Sequence, residues 1–385
     1  MSAKVRVHGV DLARAIAVLG MIYAHLSADD ADSWLGQTMV SMTDSLPSAL
    51  FAVLAGVTLS LMGVRSAREG GEPWAHTRHR LLVRGVILVG IGVLMRLVQV
   101  SILVVLIPLG VAMALLIPAI QARTSTLVAL VMTFLLSGPA VQLFFPGAME
   151  LSELFDGAYP LFAWLGYVLV GMLVHRLLLT RPAAQAVVLI VGVLGTTAGL
   201  WLRSLLGTIP LAKAGMPARY SDDPADVEEP PVLLDEPMYR YLSPEGHSGG
   251  IIDQLTCICF SLTVIMACLL LTRSAAVTRA LYPLRAMGSM GLTVYVLHVL
   301  TASLVMGGFT GGVLPYELVM ADYEFGVGYP GALVLTIVIA VGAAVLWKLR
   351  FRRGPLEELL NRAIDAATDR TTPGAAVPVA TAGRR

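Results

Sequence analysis

The chain has 385 residues, 56% of them hydrophobic and 14% charged, with a mean hydropathy of +0.77. A soluble domain is about one quarter charged, so this composition excludes a chain built mainly of water-soluble domains. A formal net charge of +1 and a pI of about 7.8 give no case for nucleic-acid binding or for an acidic tail.

Lys4 and Arg6 precede an apolar run that reaches Leu26, which is the outline of a signal peptide. Asp11 and Arg14 lie within the run, and a signal core avoids such charges. The segment therefore reads as an uncleaved first span near residues 10–27. Further apolar runs of spanning length fall near 46–64, 82–98, 101–121, 126–145, 159–179, 184–205, 251–271, 286–306 and 330–349. The stretch 82–121 is about twice the length of one span. Arg96, Gln99 and Ser101 interrupt it, so it divides there. The expected fold class is all-α, a polytopic membrane bundle of about ten transmembrane helices.

Loop charge orients this bundle. Alternate loops are basic: Arg65, Arg68, Arg78, Arg80 and Arg84; Arg123; Arg176 and Arg181; Arg273, Arg279 and Arg285; Lys348, Arg350, Arg352 and Arg353. The loops between them are acidic: Asp29, Asp30 and Asp32; Glu150, Glu153 and Asp156; Asp222 to Glu236; Glu317, Asp322 and Glu324. Basic loops stay in the cytoplasm, which predicts cytoplasmic N- and C-termini and a multi-pass protein of the plasma membrane. Merging the third and fourth runs would invert the second half and break the pattern. Residues 1–354 form the expected transmembrane domain, including an extracytoplasmic loop at 206–250. Residues 355–385 form a cytoplasmic amphipathic helix, Leu356 to Ile364, and a disordered tail. Cys257, Cys259 and Cys268 share one apolar run without metal-ligand spacing, so they read as free buried thiols and no metal is expected.

The first span carries the most chemistry. Eleven residues separate Arg14 from His25, almost three helical turns, so both lie on one face about 16 Å apart. Asp11 is one turn below Arg14 on that face, near enough to pair with it. The stripe runs Asp11, Arg14, Val18, Met21, His25. Charged groups within a span face protein or water. A structural ion pair is the alternative for Asp11 and Arg14, and a hydrogen-bonded interfacial histidine the alternative for His25.

The run "DLARAIAVLGMIYAH", preceded by Arg6 and followed by "LFAVLAGVTLSLM" at 50–62, resembles the opening of the transmembrane acyltransferases. It is most similar to the bacterial relatives of heparan-alpha-glucosaminide N-acetyltransferase. "YPLFAWLGYVLVGMLVHRL" at 159–177, "HSGG" at 247–250 and "LTVYVLH" at 292–298 fit the same resemblance. One departure matters. The lysosomal enzyme carries Asn where this chain has His25, and its catalytic histidine lies in the loop that follows, whereas Asp29 to Gln37 contains none. The Arg-to-His spacing also resembles that of membrane acyltransferases that O-acylate bacterial polysaccharides, and this match gives His25 the role of general base.

The resemblance implies an acetyl-CoA or other acyl-CoA donor from the cytoplasm and a sugar or glycolipid acceptor in the cell envelope. A basic mouth should hold the donor phosphates, for which Arg14, supported by Asp11, and Arg80 and Arg84 are placed. Donors for the oxyanion are Arg96, Arg203, Tyr295 and His298. Arg96 and Arg203 could instead snorkel outward, and His298 could be structural. His247 is a candidate acceptor contact. Lipid bilayer and acyl-CoA are the expected partners, and a homo-oligomer is compatible with the sequence. The alternative function is a secondary transporter or flippase. The few acids within spans, Asp11 and Asp253, both near span ends, count against proton coupling.

Overall fold

A computed structural model of the chain describes residues 7–26, 34–98, 102–144, 159–208, 236–305 and 330–369. Fifteen α-helices occur among them: α1 (His8–Leu26), α2 (Trp34–Thr43), α3 (Leu46–Glu69), α4 (Gly71–Val98), α5 (Leu106–Leu115), α6 (Thr124–Phe144), α7 (Leu161–Leu177), α8 (Pro182–Thr208), α9 (Glu236–Leu242), α10 (Ile251–Leu271), α11 (Ala275–Ala280), α12 (Tyr282–Gly288), α13 (Gly291–Val305), α14 (Pro330–Arg350) and α15 (Pro355–Asp369). There is no strand among the described residues. The protein is an all-α polytopic membrane bundle. Helices satisfy their own backbone, the condition for crossing lipid. Proline opens α8, α14 and α15, where its missing N–H costs no intrahelical bond.

Seven helices are long and apolar enough to cross a membrane, and an eighth is formed if the pair α12–α13 counts as one span. The two shorter apolar helices, α5 and α7, fall in the remaining runs. The two ends of the bundle are chemically distinct. At one end Arg80 pairs with Asp365 at 2.6 Å, tying the first turns of α4 to α15. Arg176, at the end of α7, donates to the carbonyls of Ala122 and Ile120 at 2.5 and 2.6 Å. At the opposite end Arg203, late in α8, meets Asp253 in the first turn of α10 at 3.3 Å.

Helix α1 runs through the core: Ala13, Ala15, Ala17, Val18 and Ile22 are fully buried. The outer helices turn apolar side chains outward, as at Val86, Leu94, Ile190, Leu194 and Leu346, which suits a lipid surround. Helices α3 and α7 pack backbone to backbone. A Cβ at Gly56 would stand 1.9 Å from the Val168 carbonyl oxygen, and one at Gly171 would stand 1.9 Å from that of Val53. Small residues at such crossings let membrane helices approach closely.

Several expectations shift. The run 286–306 is not one straight span. It begins earlier, at Tyr282, and bends by 83° between α12 and α13. The run 101–121 holds the ten-residue α5 and a single 3-10 turn, Pro118–Ile120. Residues 71–81, expected as a loop, are the first turns of α4, and the amphipathic segment continues past Ile364 to Asp369. Lys4, Arg6, Gln99, Ser101, the acidic residues Asp29 to Asp32, Glu150 to Asp156 and Glu317 to Glu324, residues 209–235 of the long loop, and the tail beyond Asp369 lie outside the described residues.

Candidate active site

The stripe on α1 organises the site. Its lower end is held by the bent pair. A Cβ at Gly288 would stand 1.8 Å from the Asp11 carbonyl oxygen, so α12 touches α1 at the backbone. Arg14 is fixed from three sides. Its Nη1 donates to Asp11 Oδ1 at 3.4 Å and to the Gly288 carbonyl at 3.2 Å, and its Nη2 donates to Thr58 Oγ1 at 3.1 Å. The Asp11–Arg14 pair expected from spacing is present.

Arg14 and Arg84 line one cavity of about 230 Å³ with Phe51, Thr58, Gly291 and Glu357. Two guanidinium groups lining a largely apolar pocket can hold phosphate. Arg80, named with them from sequence, does not line this cavity. It is engaged by α15 through Asp365 and Thr368.

From this cavity a line of rings leads along α1. Phe51 stacks on Tyr295 at 5.9 Å, Tyr295 meets His298 edge-on at 5.2 Å, and His298 stacks on His25 at 5.5 Å with planes 6° apart. His25, His298 and Tyr295 are thus brought together. The Tyr295 hydroxyl accepts from the Val105 amide at 3.1 Å and keeps its own proton to donate. His298 is 1% exposed. Its two ring nitrogens and Nδ1 of His25 are buried and meet no hydrogen-bond partner among the described residues. An unmade bond to a buried polar atom costs about 1–3 kcal/mol, and such atoms are rare in native proteins. These three atoms lie on two facing rings.

A second polar group lies at the opposite end of the bundle. Arg203 spans it, donating to Asp253 at 3.3 Å, to the Pro244 carbonyl at 2.7 Å and to the Ser41 carbonyl at 3.2 Å, and lying 3.7 Å from Asp44. Ser45 also donates to Asp253, at 3.0 Å. His247 adopts a left-handed backbone, φ 62°, and its Nε2–H donates to the Asp44 carbonyl at 2.8 Å. Its ring meets Tyr159 edge-on at 5.3 Å. Gly249, with φ 67°, supplies the left-handed turn in "HSGG" that brings its amide to Asp253 at 3.3 Å. Arg203 therefore does not snorkel. It and His247 belong to one built cluster. Arg96 is exposed on α4 and lines none of these cavities.

Sequence reasoning missed Thr58, Glu357, Asp44 and the central place of Asp253. Only Asp253 carried a signal, as an acid opening an apolar run. Cys257, Cys259 and Cys268 are free thiols, and no metal-holding group occurs among the described residues.

The family model for heparan-alpha-glucosaminide N-acetyltransferase, catalytic, matches residues 6–198, half of the chain. The chain belongs to this family of transmembrane acyltransferases. A second model, for a family of unknown function, DUF418, matches residues 239–366. A search of curated proteins finds no match. The acetyltransferase-type region supplies Arg14, His25, Thr58 and Arg84, and the second supplies His298, Gly291 and Glu357. The candidate site of this acetyltransferase relative therefore draws on both matched regions.

Proposed function

We propose that the protein transfers an acyl group, normally acetyl, from cytoplasmic acyl-CoA to a hydroxyl or amine of an extracytoplasmic or membrane-facing carbohydrate. In this reading the bundle has ten crossings in the plasma membrane, both termini are cytoplasmic, and the end that holds Arg14, Arg80 and Arg84 faces the cytoplasm. The loop-charge alternation supports that orientation.

Arg14 and Arg84 bind the donor phosphates. The pantetheine arm follows the apolar wall past Phe51, and the thioester reaches the paired histidines. A neutral His25 takes the proton from the acceptor as its oxygen or nitrogen attacks the thioester carbon. The carbon–sulfur bond breaks, and the CoA thiolate leaves and takes up the proton that His25 received. Tyr295 and His298 donate to the oxyanion. The Arg203–His247 cluster receives the acceptor.

The observation that carries this reading is the stacked His25–His298 pair, joined through Tyr295 and Phe51 to the cavity of Arg14 and Arg84. A buried imidazole beside a half-buried one, in line with a cationic cavity, suits proton transfer beside an anionic donor. Thermal stabilisation of purified protein by acetyl-CoA tests it. A clear rise in melting temperature is expected, and no response would count for a transporter or flippase.

A further inference from the structure

One turn of α15 separates two cavities. Glu357 faces the inner one, of about 230 Å³, beside Arg14 and Arg84. Pro355, Glu358, Leu359 and Arg362 of the same helix line a groove of about 1180 Å³, and Thr58 borders both spaces. The inner cavity is smaller than the roughly 300–1,000 Å³ that ligands commonly fill. With α15 in place, the inner cavity holds a carboxylate beside the two arginines.

The attachment of α15 is specific. Glu357 Oε1 accepts from the amides of Leu292 and Thr293 at 2.8 and 3.2 Å, and its Oε2 accepts from Thr293 Oγ1 at 2.5 Å. The carboxylate therefore caps the first turn of α13, where a negative charge is favoured. Two turns further on, Asp365 holds Arg80. Leu360 and Ile364 bury one stripe of the helix, while Leu359 on the other side is 62% exposed. The helix is thus held by one apolar stripe and by acids that engage the basic end of the bundle.

We propose that α15 is a displaceable cover over the donor cavity and that the Glu357 carboxylate occupies the place of an anionic group of the donor. The proposal rests on the acyl-CoA reading. A polyanionic donor competes with Glu357 for Arg14 and Arg84, while the Asp365–Arg80 pair holds the helix down. Its binding lifts α15 and joins the inner cavity to the outer groove. The cover keeps the site closed in the absence of donor.

Hydrogen exchange and acetyl-CoA titration on the full chain test this. Exchange of the amides of 355–369 should rise when acetyl-CoA binds, and Glu357→Gln should bind about tenfold more tightly. Asp365→Asn, remote from the α13 cap, should also tighten binding if Glu357→Gln does not fold. Wild-type binding with unchanged or increased protection of α15, or unchanged or weaker affinity in a folded variant, overturns the cover. Complete absence of acetyl-CoA binding by the wild type overturns the donor reading itself, and the cover with it.

Discussion

The imidazole of His298 lies nearly parallel to that of His25, 5.5 Å between ring centres and 6° between their planes. The two come from helices far apart in the chain, and from the two regions matched by different family models. Their contact brings the two matched regions together at the candidate site. His298→Phe should keep the stacking but remove both nitrogens. Turnover should fall about 10²-fold or more if the ring donates to the oxyanion, with little change in melting temperature. Turnover close to wild type would assign His298 a packing role.

Donor affinity should depend on Arg14. Arg14→Ala removes a charge-assisted partner worth about 1.5–3 kcal/mol, so acetyl-CoA binding should weaken roughly 10- to 100-fold. Asp11→Ala should weaken it less, because the Gly288 carbonyl and Thr58 still hold the guanidinium. Isothermal titration on folded variants measures both. Unchanged affinity in Arg14→Ala would remove Arg14 from the donor site.

The backbone contact between α1 and α12 should be intolerant of any side chain. In Gly288→Ala the new methyl would have to displace the Asp11 carbonyl, 1.8 Å from its ideal position. Overpacking of this kind costs about 1–3 kcal/mol. Thermal unfolding in detergent should show the loss, together with weaker acetyl-CoA binding because Arg14 loses its carbonyl partner. A melting point equal to wild type would mean that the helices separate freely there.

Asp253 should carry stability more than chemistry. It is 2% exposed and pairs with Arg203. Breaking a buried pair costs up to about 3–5 kcal/mol, and without Asp253, Arg203 keeps only the more distant Asp44 as an acidic partner among the described residues. Asp253→Ala should lower the melting temperature sharply, whereas replacing both residues with apolar side chains should recover much of it. Equal losses in the single and double variants would contradict a paired role.

Much of this was legible from local pattern. Apolar runs located the helices, and the spacing of Asp11, Arg14 and His25 set them on one face because α1 is a regular helix. What depends on tertiary placement was not legible. The 83° bend sits between two short apolar segments whose composition reads as one span. Glu357 belongs to a helix that reads as a separate cytoplasmic appendage, and only docking brings it to Leu292 and Thr293. Arg80 looked equivalent to Arg84, yet Asp365 engages it, a contact that no sequence spacing reveals. The stacking of His25 on His298 is likewise a product of how α1 and α13 pack.

The central claim is that His25 is the general base, and the most direct measurement is turnover and acetyl-CoA affinity of His25→Ala and His25→Gln with a working acceptor. A positioned base contributes about 10²–10⁴-fold to rate. Both variants should lose at least that factor while binding acetyl-CoA with near wild-type affinity, since Gln keeps hydrogen bonding but cannot take the proton. Substantial turnover in either folded variant would contradict the account and move the base to His298 or His247.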